Sequence, residues 1–208
     1  MYAHFWALCC LVTMISSPAI AGDTHVEILL HTADSVPDPM LTEMKSELAS
    51  LMEPAGYQIH WSGAHALVTP FHGDLVVIEV RGSCDLPSSS ISRTRVVQLG
   101  SSAVADGKVL PFSWADCTAL AQILEPFLTH QRKEKREFLF GRAMARVVAH
   151  ELYHVLGRTL AHTTSGLTKA RFEPRDLLAE RAGFGNVSMA RLQALRLPPT
   201  WLALEAGP

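Results

Sequence analysis

Apolar positions follow two periods along this chain, and the changes between them mark its elements. From Asp23 to Thr32, Val26, Ile28 and Leu30 alternate with other residues, which predicts a half-buried strand. Asp38-Pro39 then opens a stretch where Met40, Leu41, Met44, Leu48, Leu51 and Met52 recur at helical spacing, and Pro54-Ala55-Gly56 closes it. Methionines at such spacing pack a core more often than they bind a soft metal. Strand character returns at Tyr57 to Trp61 and, more strongly apolar, at Asp74 to Val80. The first half therefore reads strand, helix, strand, strand.

Between Gly82 and Arg95, Pro87 and Ser88-Ser89-Ser90 mark a surface loop. Val96 to Phe112 reads as two strands joined at Asp106-Gly107, a two-residue hairpin signal. Such a hairpin either serves the sheet alone or offers an edge to an extended peptide by strand addition. Cys117 to Leu128 has a helical pattern. The run His130 to Glu137 reads as a solvated helix face or connector, and its interspersed glutamates argue against nucleic acid. Phe138 to Gly157 then forms one apolar-rich helix, with Ala143, Ala145 and Ala149 small enough for close packing. The expected class is α+β: a small mixed twisted sheet packed on two or three helices.

Composition adds compartment to this picture. With 208 residues the chain is long enough for one domain with a real core, expected over residues 22–208. Its 18 basic and 20 acidic side chains create no whole-protein field favouring nucleic acid or an anionic membrane. Met1 to Ala21 lacks Asp, Glu, Lys and Arg, carries the apolar run Phe5 to Ile15, and ends Ala19-Ile20-Ala21. That reads as a secretory signal cleaved after Ala21, giving an exported protein, periplasmic or secreted, without a membrane anchor. Pro18 and the serines before it interrupt the apolar span of about 20 residues that an anchor would need. Cleavage removes Cys9 and Cys10 and leaves Cys84 and Cys117, an even pair for which a disulfide is expected over two buried thiols.

The chemistry concentrates at His150-Glu151-Leu152-Tyr153-His154. On a helix, positions i and i+4 share a face, so His150 and His154 can reach one metal ion, while Glu151 lies close enough to touch a water held there. This is the layout of a zinc hydrolase. Downstream lies His162. A helix continued to His162 would carry that ring about 12 Å along the axis from His154, so the chain must turn back. Gly157 is suited to the left-handed conformation common at helix ends, and Thr163, Thr164, Ser165 and Gly166 are loop formers. Three imidazoles would leave an open tetrahedral position, as in catalytic zinc sites. Glu173 and Glu180 are rival third ligands, and His65, His72 or a downstream Glu would have to close a purely structural site. His25, His31, His60, His65, His72 and His130 show no ligand spacing, and Tyr153 reads as helix packing. There is no Gly-rich phosphate loop and no GxSxG.

His150, Glu151, His154, Gly157 and His162 resemble the metzincin pattern HExxHxxGxxH, with the last His two residues late. A closer resemblance is to a group of exported bacterial zincins that share this spacing and a following S-x-x-G-[ILM]-[MT]. Gly82-Ser83-Cys84, the stretch from Leu99-Gly100 through Asp106-Gly107-Lys108-Val109-Leu110-Pro111-Phe112 to Asp116-Cys117, and Ser165-Gly166-Leu167-Thr168 fall in line with it, so the likeness covers most of the mature chain. Thr168 stands where metzincins place a methionine beneath the metal. The resemblance implies a zincin fold, Zn2+ on His150, His154 and His162, and Glu151 as the general base in peptide hydrolysis. A silent zinc-binding interaction module of the same fold is the alternative, although such copies often lose the glutamate that is kept here.

Overall fold

A computed structural model describes residues 24–32, 36–62, 73–85 and 98–196. The expected signal segment through Ala21, the loop at Pro87 to Ser90, and His65 and His72 lie outside the described residues. The element order is β1 (Thr24–Thr32), α1 (Asp38–Met52), β2 (Tyr57–Ser62), β3 (Asp74–Arg81), β4 (Gly100–Ala105), β5 (Lys108–Asp116), α2 (Cys117–Leu128), α3 (Lys133–Leu156), α4 (Pro174–Leu178) and α5 (Asn186–Arg196). The strands form one mixed sheet in the order β2-β1-β3-β5-β4. All neighbours are parallel except β4 and β5, so the mixed α/β architecture read from the pattern is present.

Strand alternation sets the core. Val26 and Ile28 of β1 and Val76, Ile78 and Val80 of β3 are buried, whereas Leu75 on β3 and Phe112 on β5 are exposed. Met40, Met44, Leu48, Leu51 and Met52 of α1 are buried in the same core, so its methionines pack. Helix α1 lies very close to α3 at Gly141, where a Cβ would come within 2.4 Å of the Met40 carbonyl oxygen. Ala143, Ala145 and Ala149 are fully buried on α3.

Helix α3 begins at Lys133, five residues before the first apolar residue of its repeat, Phe138. Lys133 to Arg136 are good helix formers with charged ends in solvent, so the helix extends past its hydrophobic stripe. The charged run is thus divided, with His130 to Arg132 as connector and the rest as the first turn. No helix of the described residues is long and apolar enough to cross a membrane.

The hairpin joins at Asp106 and Gly107, whose φ of 50° and 73° fit a two-residue turn with both central residues left-handed. Its second strand runs on to Asp116, past the expected Phe112. Ser102 pairs with Ser113 and Val104 with Val109, so Ala103 faces three residues, Leu110 to Phe112. Pro111 lies in this irregularity, where a missing N–H disturbs the ladder least. Strand β4 is the last in the sheet order.

Cys84, just after β3, is bonded to Cys117, the first residue of α2, with their Cα atoms 4.7 Å apart. The bond closes a loop with a sequence separation of 33. Replacing both cysteines by serine is expected to lower unfolding free energy by about 3 to 4 kcal/mol, read from urea midpoints. Reduction of the native chain should give the same loss.

Candidate metal centre

The last two turns of α3 carry His150, Glu151 and His154, which are 8, 5 and 5% exposed. Both imidazole rings are oriented from behind by backbone. His150 Nδ1 lies 2.7 Å from the Leu167 carbonyl and His154 Nδ1 lies 2.7 Å from the Thr159 carbonyl. A carbonyl only accepts, so each Nδ1 carries the proton and each Nε2 keeps its lone pair for a cation. These two Nε2 atoms are 3.0 Å apart. Burial, the largest influence, holds His150 down at about 4 and lowers His154 as well, which keeps both rings neutral at pH 7.

The chain reverses after α3 as the His162 spacing requires, but by a different residue than expected. Gly157 has φ −76°, and the left-handed position belongs to Arg158, with φ 46°. Arg158 N–H donates to the Val155 carbonyl and Thr159 N–H to the His154 carbonyl, the paired bonds of a Schellman end. The glycine serves clearance instead, because a Cβ at 157 would sit 2.5 Å from the Tyr153 carbonyl.

His162 returns to the other two rings. Its centroid is 5.1 Å from that of His150 and 4.8 Å from that of His154. One ligand atom from each of the three histidines lies within 4.8 Å of the others. A tetrahedral ion with bonds of about 2.0 to 2.1 Å needs its nitrogens about 3.3 Å apart, so small side-chain movements suffice to hold one. Two rings are buried and His162 is exposed, which leaves one side of the cluster open. Neither rival ligand joins this cluster among the described residues, and Glu173 caps α4 and pairs with Arg175. Tyr153 is buried beside Phe184. His25 and His60 meet across β1 and β2 with nitrogens 2.8 Å apart, a contact hidden by 35 residues of sequence.

Thr168 is fully buried, and its hydroxyl lies 2.6 Å from those of Thr163 and Ser188. Thr163 N–H also donates to the Thr168 carbonyl at 2.9 Å. A chain of hydroxyls thus ties the residue after His162 to Thr168, next to the Leu167 whose carbonyl faces His150, and to α5. Thr168→Val should weaken binding of Zn2+, used as the probe, by about 10-fold without unfolding the chain, as measured by competition with a chromogenic chelator.

Glu151 faces the edge strand. Ser102 Oγ lies 2.7 Å from its Oε2, and Ser113 Oγ lies 2.9 Å from Ser102 Oγ. Burial pushes the Glu151 carboxyl up to about 7, against the Ser102 hydrogen bond, which lowers it. Glu151 and the histidines open onto a cleft of about 670 Å³. Gln98 to Ser102, Lys169 to Phe172, Ile123 and Val147 also line it. No sequence signal marks Ser102, Ser113 or Ser188, since nothing local announces a serine whose partner lies on a distant element. No family model matches this chain, and neither does any curated protein.

Proposed function

We propose that this chain is an exported, zinc-dependent metallopeptidase of zincin type. The observation that supports it most is the joint placement of three convergent imidazoles and a buried carboxylate in one open cleft beside a terminal sheet strand. His150, His154 and His162 would hold the ion, an all-nitrogen donor set suited to zinc. Bound there, Zn2+ supplies a Lewis acid for a carbonyl and lowers the pKa of water toward about 7.

The remaining work belongs to the chain. Glu151 accepts a proton from the attacking water, and as the carbon–nitrogen bond breaks it hands that proton to the departing amine. Residues 98 to 102 lead into and along the outer strand of the sheet, so an extended peptide can align by main-chain pairing with its scissile bond near Glu151. Leu99, Ile123, Val147 and Phe172 give that peptide an apolar surface to rest on. The disulfide suits an oxidising compartment, in keeping with export.

The test is incubation of the zinc-loaded chain with an unfolded protein and a broad peptide library, with and without chelator. Cleavage that stops with chelator and resumes on adding Zn2+ is the expected result. Substrates left intact by chain that demonstrably holds zinc would overturn the reading and leave a metal-binding interaction module.

A further inference from the structure

Strand β4 does more than border the cleft. Gly100 and Ser102 are two residues apart, so they face the same side of the strand, and both meet the Glu151 carboxylate. At Gly100 an added Cβ would lie 2.8 Å from Glu151 Oε1, 2.9 Å from the Trp114 carbonyl and 3.1 Å from Val147 Cγ1. The missing side chain is therefore the space one carboxylate oxygen occupies. The other oxygen is met by Ser102 Oγ at 2.7 Å, which also lies 3.2 Å from the Glu151 carbonyl. A hydroxyl has one proton. Ser102 gives it to the carboxylate, the stronger acceptor, and its own lone pair accepts from Ser113 Oγ at 2.9 Å. Ser113 is 6% exposed on β5, directly opposite Ser102 in the ladder.

We infer that Ser102, backed by Ser113, is a positioning residue that fixes the Glu151 carboxylate for its proton transfers. This rests on the metallopeptidase reading above. A glutamate has three side-chain torsions, and a base displaced by about an ångström loses much of its effect. The bond to Ser102 and the clearance at Gly100 together select one orientation, and they do so from the strand on which the peptide would lie. Ser102 makes its bond to the base rather than to the metal ligands, so its removal should spare metal binding.

The experiment compares Ser102→Ala and Ser102→Thr in the zinc-loaded full chain. The alanine variant is expected to keep full zinc content and a KM within about twofold, with kcat lowered about 10- to 100-fold, while threonine recovers most of the loss. An unchanged kcat, or a change in KM alone, would overturn the inference. A second measurement does not need turnover. Ser102→Ala should lower the melting temperature by about 2 to 4 °C in the native chain and by under about 1 °C in the Glu151→Ala background. Equal drops in both backgrounds would show that the hydroxyl does not act through Glu151. If the native chain cleaves nothing, the proposed activity fails, while this cycle still decides whether Ser102 holds the carboxylate.

Discussion

Glu151→Gln is expected to purify with near-stoichiometric metal and to have lost hydrolysis by a factor of about 10² to 10⁴. The amide keeps the size of the side chain and can still accept the Ser102 hydrogen bond, but it cannot take a proton from water. The three imidazoles and the carbonyls behind them are untouched, so metal content should not fall. Activity close to the native rate would remove Glu151 from the reaction. The same variant should reveal the cost of burying the carboxylate. In the metal-free protein its pKa is raised to about 7 from an ordinary 4.5. The folded chain therefore binds that proton more tightly than the unfolded chain. Stability from this group is fully present below about pH 4.5 and is lost as pH rises through 7. Glutamine carries no such dependence, so the metal-free variant should be more stable than native at pH 8, by roughly 3 kcal/mol. The difference should vanish toward pH 4.5, with urea unfolding at both values as the check.

Arg146→Met is expected to cost about 3 to 5 kcal/mol, a large part of the 5 to 15 kcal/mol that holds a domain together. Arg146 is fully buried. Its Nε and Nη2 donate to Glu47 Oε1 at 3.0 and 2.9 Å, and its Nη1 donates to the Asp176 and Leu177 carbonyls at 3.1 and 2.9 Å. One side chain thus joins α3 to α1 and to α4. Methionine would fill much of the volume but leave two carbonyls and part of a carboxylate without a donor. Arg142, also paired with Glu47, keeps that charge from being wholly abandoned. Adding Glu47→Leu should recover part of the loss, because an apolar pair can replace a buried ionic one. A midpoint shift below about 1 kcal/mol would mean that the arginine's burial roughly cancels its bonds.

Much of this was legible in the sequence because it is written locally. The alternation at Val26, Ile28 and Leu30, the spacing from Met40 to Met52, and Asp106-Gly107 each name an element from adjacent residues. The pairing of His150 with His154 follows from one helical turn, whereas His162 stood out through its zincin-like spacing and the loop formers after it, with the straight-axis distance adding that the chain must reverse for it to arrive. The pairing of Cys84 with Cys117 needed only a count. What was not legible depends on distance in sequence. Ser102 and Glu151 are 49 residues apart, Thr168 and Ser188 are 20 apart, and no periodic pattern connects either pair. Helices α4 and α5 are short or weakly patterned, and they escaped notice. At Gly157 the sequence pointed to the right place for the wrong reason. A glycine near a helix end suggests a left-handed turn, but here it relieves a carbonyl while Arg158 takes the strained angle.

The Cys84–Cys117 bond encloses β4 and β5, the hairpin that meets Glu151. A single backbone cut anywhere between the two cysteines would therefore yield two polypeptides that still travel as one molecule. They would migrate together on a non-reducing gel and separate only when thiol is added. A chain nicked in this way would keep the strand that lines its cleft.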